Sequence, residues 1–258
     1  MLVKVTNQCA LGCRHCMDDA RPGTGQHMAV ETFRAALECT RRTEVLAWEV
    51  GYRLVLLSGG ECTEHPQFLD LLAMAEEAAY TPVLITNGMW LNDPYLAGHI
   101  LRPGRELLVQ VTNDPRFYPK APPRVTRDPR IVNTFELTAL MPLGRAQRLG
   151  DTGGLPTLRA PGSFNLRSLV RRTGDIRSAL LLLRARALAG ASGGHCAPSI
   201  SYDGSFMAGE TRLCARVGTV DSSCEELTEG ILGMGSCNHC GLESRLSREH
   251  REAIGLEV

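Results

Sequence analysis

No run of apolar residues in this chain is long enough to cross a bilayer. The strongest, Ala179–Leu183, stops at Arg184, far short of the roughly 20 residues that a membrane helix needs. The opening MLVKVTNQ lacks the apolar core of a signal peptide. Neither charge sign is in surplus: Lys plus Arg and Asp plus Glu each total 28, so the net charge is zero. A duplex nucleic acid partner normally demands a basic excess; arginines do gather between Arg102 and Arg186, but the balance sets that class aside. Internal repeats and low-complexity tracts are missing too. These absences point to a soluble, cytoplasmic protein with neither membrane nor nucleic acid as its partner.

At 258 residues, 43% hydrophobic and 22% charged, the chain has the composition and length of one large α/β domain, with or without a small appendage. Its ten cysteines are unevenly placed. Cys9, Cys13 and Cys16 open the chain, and Cys196, Cys214, Cys224, Cys237 and Cys240 close it. Only Cys39 and Cys62 lie between. Disulfides are rare in a reducing cytosol, so clustered cysteines point to metal. Two metal-binding ends joined by a cysteine-free body is the organisation this suggests.

Strands are expected at Leu2–Thr6, Arg53–Leu57, Pro82–Thr86, Leu107–Thr112 and Asn133–Leu140, with a sixth near Pro156–Phe164. Helices are expected at Val30–Arg42, at His65–Ala79 with Pro66 in its first turn, and at Arg167–Leu188. Such alternation is the pattern of parallel β/α units. Asp114–Arg130 reads as a long loop, and Gly190–Gly194 as the boundary between residues 1–189 and a small module over residues 190–258.

Cys9-x-x-x-Cys13-x-x-Cys16 supplies three thiolates from one loop, enough to grip three corners of a cubane and leave the fourth iron open. Structural zinc usually takes four ligands with its cysteines in pairs, and His15 as the fourth would strain so short a loop. Downstream, Cys196 and Cys214 flank a hairpin, Ile200–Arg212, turning at Asp203–Gly204, and Cys237-x-x-Cys240 follows. Four thiolates in two pairs can enclose a second centre, zinc or cluster on chemistry alone.

The order of motifs goes further. After the trio come a helix and LVLLSGGE, with Gly59, Gly60 and Glu61, then a second helix and LITNG, with Thr86, Asn87 and Gly88. Over roughly residues 1–150 this resembles the radical S-adenosylmethionine superfamily. The resemblance implies a partial (β/α)6 TIM-like barrel whose chemistry sits at the carboxyl ends of its strands. Cys9, Cys13 and Cys16 would hold a [4Fe–4S] cluster, and its open iron would take the amino and carboxylate groups of S-adenosylmethionine. The glycine turn would let the backbone approach the methionine end, with Glu61, Thr86 and Asn87 beside it. His15 stands where the family has an aromatic residue on the adenine, Thr112 near the ribose, and Cys62 where proline commonly follows the glutamate. LMPLGRA resembles the end of a late barrel strand, with Arg145 directed at the cofactor carboxylate or an acidic substrate.

CAPSISYDGSFMAGETRLC, RVGTV and the final Cys-x-x-Cys resemble the twitch module, a shortened SPASM module. That implies an auxiliary [4Fe–4S] cluster on Cys196, Cys214, Cys237 and Cys240, with Cys224 unligated. The family also implies an electron donor such as flavodoxin or ferredoxin, and a small-molecule or peptide substrate. The short stretch before Cys9 leaves no room for a peptide-recognition domain, so a dehydrogenase or another small-molecule modification is expected. The alternatives are a peptide maturase and a non-catalytic zinc or iron–sulfur regulator.

Overall fold

Short runs of Val, Leu and Ile separated by amphipathic segments build a parallel sheet. The computed structural model describes residues 1–234, apart from residues 24, 113, 120–126, 135–143, 155–161, 189–196 and 212–213. Strands β1 (Leu2–Thr6), β2 (Leu54–Gly59), β3 (Thr81–Thr86), β4 (Leu108–Thr112) and β5 (Ile131–Thr134) lie side by side in chain order, every pairing parallel. The first four are joined through α1 (Val30–Thr43), α2 (Val45–Glu49), α3 (Phe68–Glu77) and α4 (Pro94–Ile100). In α1, Phe33, Ala36, Leu37 and Thr40 recur at helical spacing and are buried. Helix α4 starts at Pro94, and the Asp93 carboxylate accepts the Tyr95 and Leu96 amides.

Side chains alternate across the sheet with the strand period of two. Val3, Val5, Val55, Leu57, Leu84, Val109 and Val111 are buried in the main core with Phe33, Leu71, Leu72 and Ile100 from the helices. Leu2, Lys4, Leu56, Ser58, Ile85, Gln110 and Thr112 turn to the other face, where a cavity lies.

Several boundaries differ from expectation. Strand β5, expected over Asn133–Leu140, begins at Ile131, and residues 135–140 lie outside those described. Helix α3 begins at Phe68, not His65. Pro66 restrains the residue before it to extended backbone, and His65 obeys with ψ 128°. Its ring is fixed too, with Nε2 2.9 Å from the Met28 carbonyl and Nδ1 accepting the Gln67 amide. The long helix expected over Arg167–Leu188 is two, α5 (Gly162–Thr173) and α6 (Ile176–Leu188). Gly174 in the left-handed region (φ +84°) ends the first, and the Asp175 carboxylate caps the second through the Arg177 and Ser178 amides. The strand expected near Pro156–Phe164 is corrected in its last three residues, which belong to α5; residues 155–161 lie outside those described.

Beyond α6, β6 (Ser199–Ile200) joins β1 in parallel, with Leu2 opposite Ser199. Strands β7 (Ser205–Met207) and β8 (Arg216–Thr219) add on antiparallel, completing an eight-stranded sheet. The turn between β6 and β7 has Gly204 at φ +80° and the Ser205 amide bonded to the Asp203 carboxylate. Helix α7 (Cys224–Gly233) opens with a Ser223–Glu226 capping box. Ile200, Phe206, Val217, Leu227 and Ile231 belong to the same core cluster as β1–β4. Among the described residues no helix is long and apolar enough to cross a membrane.

Phe206 is fully buried at the joint between the strand following α6 and the parallel sheet. Phe206→Ala is expected to lower the unfolding free energy by about 3–5 kcal/mol. Urea unfolding should be followed by circular dichroism and by the fluorescence of Trp48 and Trp90, which lie in the first half of the chain. The two transitions should shift together.

Candidate active site

The chain leaves β1 at Thr6 and enters the cysteine loop, and the turn after β2 is clamped to that loop by backbone. The Gly60 amide donates to the Thr6 carbonyl at 2.8 Å and the Glu61 amide to the Gln8 carbonyl at 2.8 Å. A Cβ on Gly59 (φ +146°) would stand 2.3 Å from the Thr6 carbonyl oxygen, and one on Gly60 would stand 2.1 Å from that of Gln8. Both distances are impossible. The glycines are required by the cysteine loop itself, before any ligand is considered.

Within the loop Cys9 and Cys13 are buried and Cys16 half-buried. Burial pushes the Cys9 thiol up to about 11 and Cys13 up to about 12. The Cys16 thiol raises both and Cys9 raises Cys13, so the sulfurs lie within electrostatic reach of one another. Glu64 accepts the Ala10 amide at 2.8 Å. From the far side, the Arg145 amide donates to the Cys16 carbonyl at 2.9 Å and its Nε to the Cys13 carbonyl at 2.8 Å, while Nη1 pairs with Asp19 at 3.0 Å. A Cβ on Gly144 would stand 2.6 Å from the Cys16 and Met17 carbonyl oxygens. Arg145, expected to meet a carboxylate of cofactor or substrate, does line the cavity, but its polar atoms brace the loop that carries the cysteines.

Glu61 is 2% exposed. Its carboxylate accepts Thr86 Oγ1, the Asn87 amide and Thr63 Oγ1, all at 2.7 Å, and the Thr63 amide at 3.3 Å. Burial raises its pKa and these bonds oppose the rise. Thr86 Oγ1 in turn accepts the Gly88 amide and the Trp90 indole N–H. Glu61 thus joins the end of β2 to the end of β3. Asn87 Nδ2 stands 3.9 Å from Cys9 Sγ, and its Oδ1 accepts the Met89 amide.

The His15 ring lies 5.1 Å from Phe117 and 4.9 Å from Tyr118, centroid to centroid. Burial lowers its pKa to about 4, so the ring is neutral at pH 7. Its Nδ1 is buried with no hydrogen-bond partner among the described residues. Tyr118 donates to Thr112 Oγ1 at 3.3 Å, and Thr112 donates to the Thr86 carbonyl at 3.4 Å. The sequence reading missed this aromatic pair, whose only signal was adjacent Phe and Tyr in a polar loop. Asp114, which follows Thr112 by two residues, is buried and ion-paired to Arg116 at 2.6 Å.

The cysteine trio, His15, Gly59, Gly60, Thr86, Asn87, Thr112, Tyr118 and Arg145 line one cavity of about 590 Å³, within the range of small-molecule sites. Among the described residues no three His, Cys, Asp or Glu side chains converge tightly enough for a single ion. The ligands of a cubane bind separate irons and need not converge on one point. Of the second set only Cys214 is described; it is half-buried, 3.8 Å from Thr211 Oγ1. Cys196, Cys237 and Cys240 lie outside the described residues. Cys39, Cys62 and Cys224 are buried in the main core.

No protein-family profile matches the chain. It is 31% identical over 98 residues to the PqqA peptide cyclase of Gluconobacter oxydans (strain 621H), a match spanning 37% of this chain and 25% of the cyclase. The chain thus covers a quarter of that relative's length. Among solved structures, Streptococcus suis SuiB bound to S-adenosylmethionine aligns over 44% of this chain and 24% of its own, with 18% identity and a TM-score of 0.33. BtrN in complex with AdoMet and 2-DOIA aligns over 98% and 88%, with 12% identity and a TM-score of 0.47. The cysteine trio, the glycine turn and Thr-Asn-Gly meet at the carboxyl ends of parallel strands, and the cyclase match accompanies them.

Because Gly60 touches the cysteine loop, Gly60→Val is expected to impair cluster assembly as well as cofactor binding. Iron per chain and the visible cluster absorbance after anaerobic reconstitution should both fall to less than about half of the parent's, since a valine there displaces the Gln8 backbone. Full cluster content with cofactor binding alone weakened would return the turn to a purely cofactor-facing role.

Proposed function

We propose that this chain is a radical S-adenosylmethionine enzyme acting on a small molecule, most simply as a dehydrogenase assisted by a second cluster. The observation that carries the reading is the single cavity shared by three cysteines, a side-chain-free turn and an aromatic wall. We read the parallel sheet as the family's partial barrel, with residues 190–258 as a twitch-like module.

Cys9, Cys13 and Cys16 would hold three irons of a [4Fe–4S] cluster and leave the fourth for the amino and carboxylate groups of S-adenosylmethionine. When bound, the cluster supplies one electron to the sulfonium, giving methionine and a 5′-deoxyadenosyl radical that takes a hydrogen atom from the substrate. The protein's part is placement. Gly59 and Gly60 form a wall without side chains, Arg145 and Glu64 fix the loop that carries the thiols, and Asn87 offers an N–H to the Cys9 sulfur. The neutral His15 ring, with Phe117 and Tyr118, forms a flat apolar surface suited to adenine.

For a dehydrogenase the substrate radical must lose one more electron and one proton. An auxiliary [4Fe–4S] cluster on Cys196, Cys214, Cys237 and Cys240 would accept that electron. Ala197 and Glu210 line the cavity, and in sequence they stand next to Cys196 and four residues before Cys214. The likeness to a peptide cyclase favours a second reading, peptide modification at the same cavity.

Reconstituted protein with reduced flavodoxin or dithionite should form 5′-deoxyadenosine, and Cys13→Ala should abolish it while the auxiliary iron remains. Cofactor cleavage persisting in Cys13→Ala would remove the trio from the reaction. Replacing the four auxiliary cysteines together should remove four irons per chain and halt product formation while some 5′-deoxyadenosine still forms. One zinc and a single cluster in the parent would make those thiols a structural clip.

A further inference from the structure

Strand register sorts the cavity face of the sheet into rows. Leu2 lies opposite Leu56, and one pleat nearer the cysteines Lys4 lies opposite Ser58. On the neighbouring strands Ile85 lies opposite Gln110. Leu57 opposite Leu84 sets the same register between β2 and β3, so Lys4, Ser58, Ile85 and Gln110 form one level across four strands. The row beneath it is apolar at Leu2 and Leu56, and the row above carries the glycine turn and Asn87.

Lys4 is the anomaly in this row. It is 4% exposed, on a central strand whose other residues are all buried. Taking an ammonium out of water costs several kcal/mol even when it is paired. Asp18 is its one acceptor among the described residues, and an ammonium has three N–H donors. Two therefore lack a protein acceptor in a group that lines the cavity. The Ser58 hydroxyl and the Gln110 amide likewise have no hydrogen-bond partner among the described residues, and both line the same cavity. The buried Lys4 ammonium, the half-buried Ser58 hydroxyl and the exposed Gln110 amide thus offer donors and acceptors to a ligand from one level of the cavity wall.

We propose that this row is a substrate subsite for a small, uncharged molecule dense in hydroxyl groups, with Lys4 determining specificity. The inference rests on the reading of the upper cavity as the S-adenosylmethionine site. An apolar substrate would leave all three groups dry and unpaired, the strongest form of discrimination a site can exert. A carboxylate is not favoured either, because Asp18 beside Lys4 cancels the field that would draw it. Arg145 is similarly paired with Asp19. A hydroxyl both donates and accepts, so it can accept from Lys4 and exchange either role with Ser58 and Gln110. A carbon bearing such a hydroxyl, held in the row directly below the cofactor turn, is placed for loss of its hydrogen.

The test uses reconstituted holoenzyme loaded with S-adenosylmethionine, with myo-inositol, succinate and cyclohexanol as calorimetric probes under anaerobic conditions. Inositol is expected to bind more tightly than the other two. Lys4→Met and Gln110→Leu are each expected to weaken it by about tenfold, the size of one lost hydrogen bond, with S-adenosylmethionine affinity changed by less than about twofold. Gln110 is exposed on β4, so its variant guards against a Lys4 variant that fails to fold. Preference for succinate or cyclohexanol, no inositol binding, or an unchanged inositol affinity in Gln110→Leu overturns the proposal. An equal loss of S-adenosylmethionine affinity would overturn it by assigning the row to the cofactor. A parent protein that does not bind S-adenosylmethionine at all would instead bring down the enzyme reading beneath it.

Discussion

The contact on which the site depends is the near-collision of two backbones, the turn after β2 and the start of the cysteine loop. At Gly59 and Gly60 there is no space for even a methyl group, because the Thr6 and Gln8 carbonyls occupy it. That approach sets two amide-to-carbonyl bonds across the gap and fixes where the cysteine loop begins relative to the sheet. Gly144 repeats the device on the other side, close against the Cys16 and Met17 carbonyls, with Arg145 bonded to two carbonyls of the loop. A loop held by main-chain contacts at both ends can present three thiols in a constant arrangement while its own side chains remain free for chemistry. Backbone contacts suit this purpose because they lose no rotamer entropy.

Glu61 extends the same logic to the next strand. An ionised carboxylate fully removed from water would be prohibitively unstable alone, and burial does raise its pKa. Two hydroxyls and two backbone amides answer it. The result is a cross-brace between the ends of β2 and β3, and Thr86 relays it to Gly88 and Trp90. Two sequence motifs separated by a helix thus form one polar unit, and the order Gly-Gly-Glu then Thr-Asn-Gly is a structural pairing.

Much of this was legible in the sequence, and the misses have physical causes. The parallel order of β1 to β4 could be read because each strand is an apolar run closed by a turn signal, with a helix between. Helix α3 was started too early because Pro66 was taken as a first-turn residue, whereas its effect on His65 is to hold it extended. Gly174 and Asp175 divide α5 from α6, a stop and a cap that the apolar periodicity running through both masks. The sequence cannot show that Thr63, Thr86 and Asn87 surround the Glu61 carboxylate, or that Arg145 bonds to the cysteine loop, because those partners are brought together only by the fold. Lys4 escaped notice for the same reason. Within LVKVT a single lysine carries no mark of burial; that appears only when pairing with β2 and β6 makes β1 a central strand and Asp18 meets the ammonium.

The placement of β6 has a further consequence for how the two cysteine-rich ends relate. Pairing with β1 puts the strand that follows Cys196 next to the strand that leads into Cys9. The core continues without interruption through Ile200, Phe206 and Val217 into α7. A segment tethered by a linker could hold a metal centre but could not set its distance from another site. A segment hydrogen-bonded into the central sheet can, because the sheet fixes the position of its first residues relative to the cavity wall. Ala197 lies on that wall next to Cys196 in sequence, and Glu210 lies on it a few residues before Cys214. The same sheet that aligns the cysteine loop with the glycine turn therefore also fixes β6, and with it Ala197 at the cavity wall.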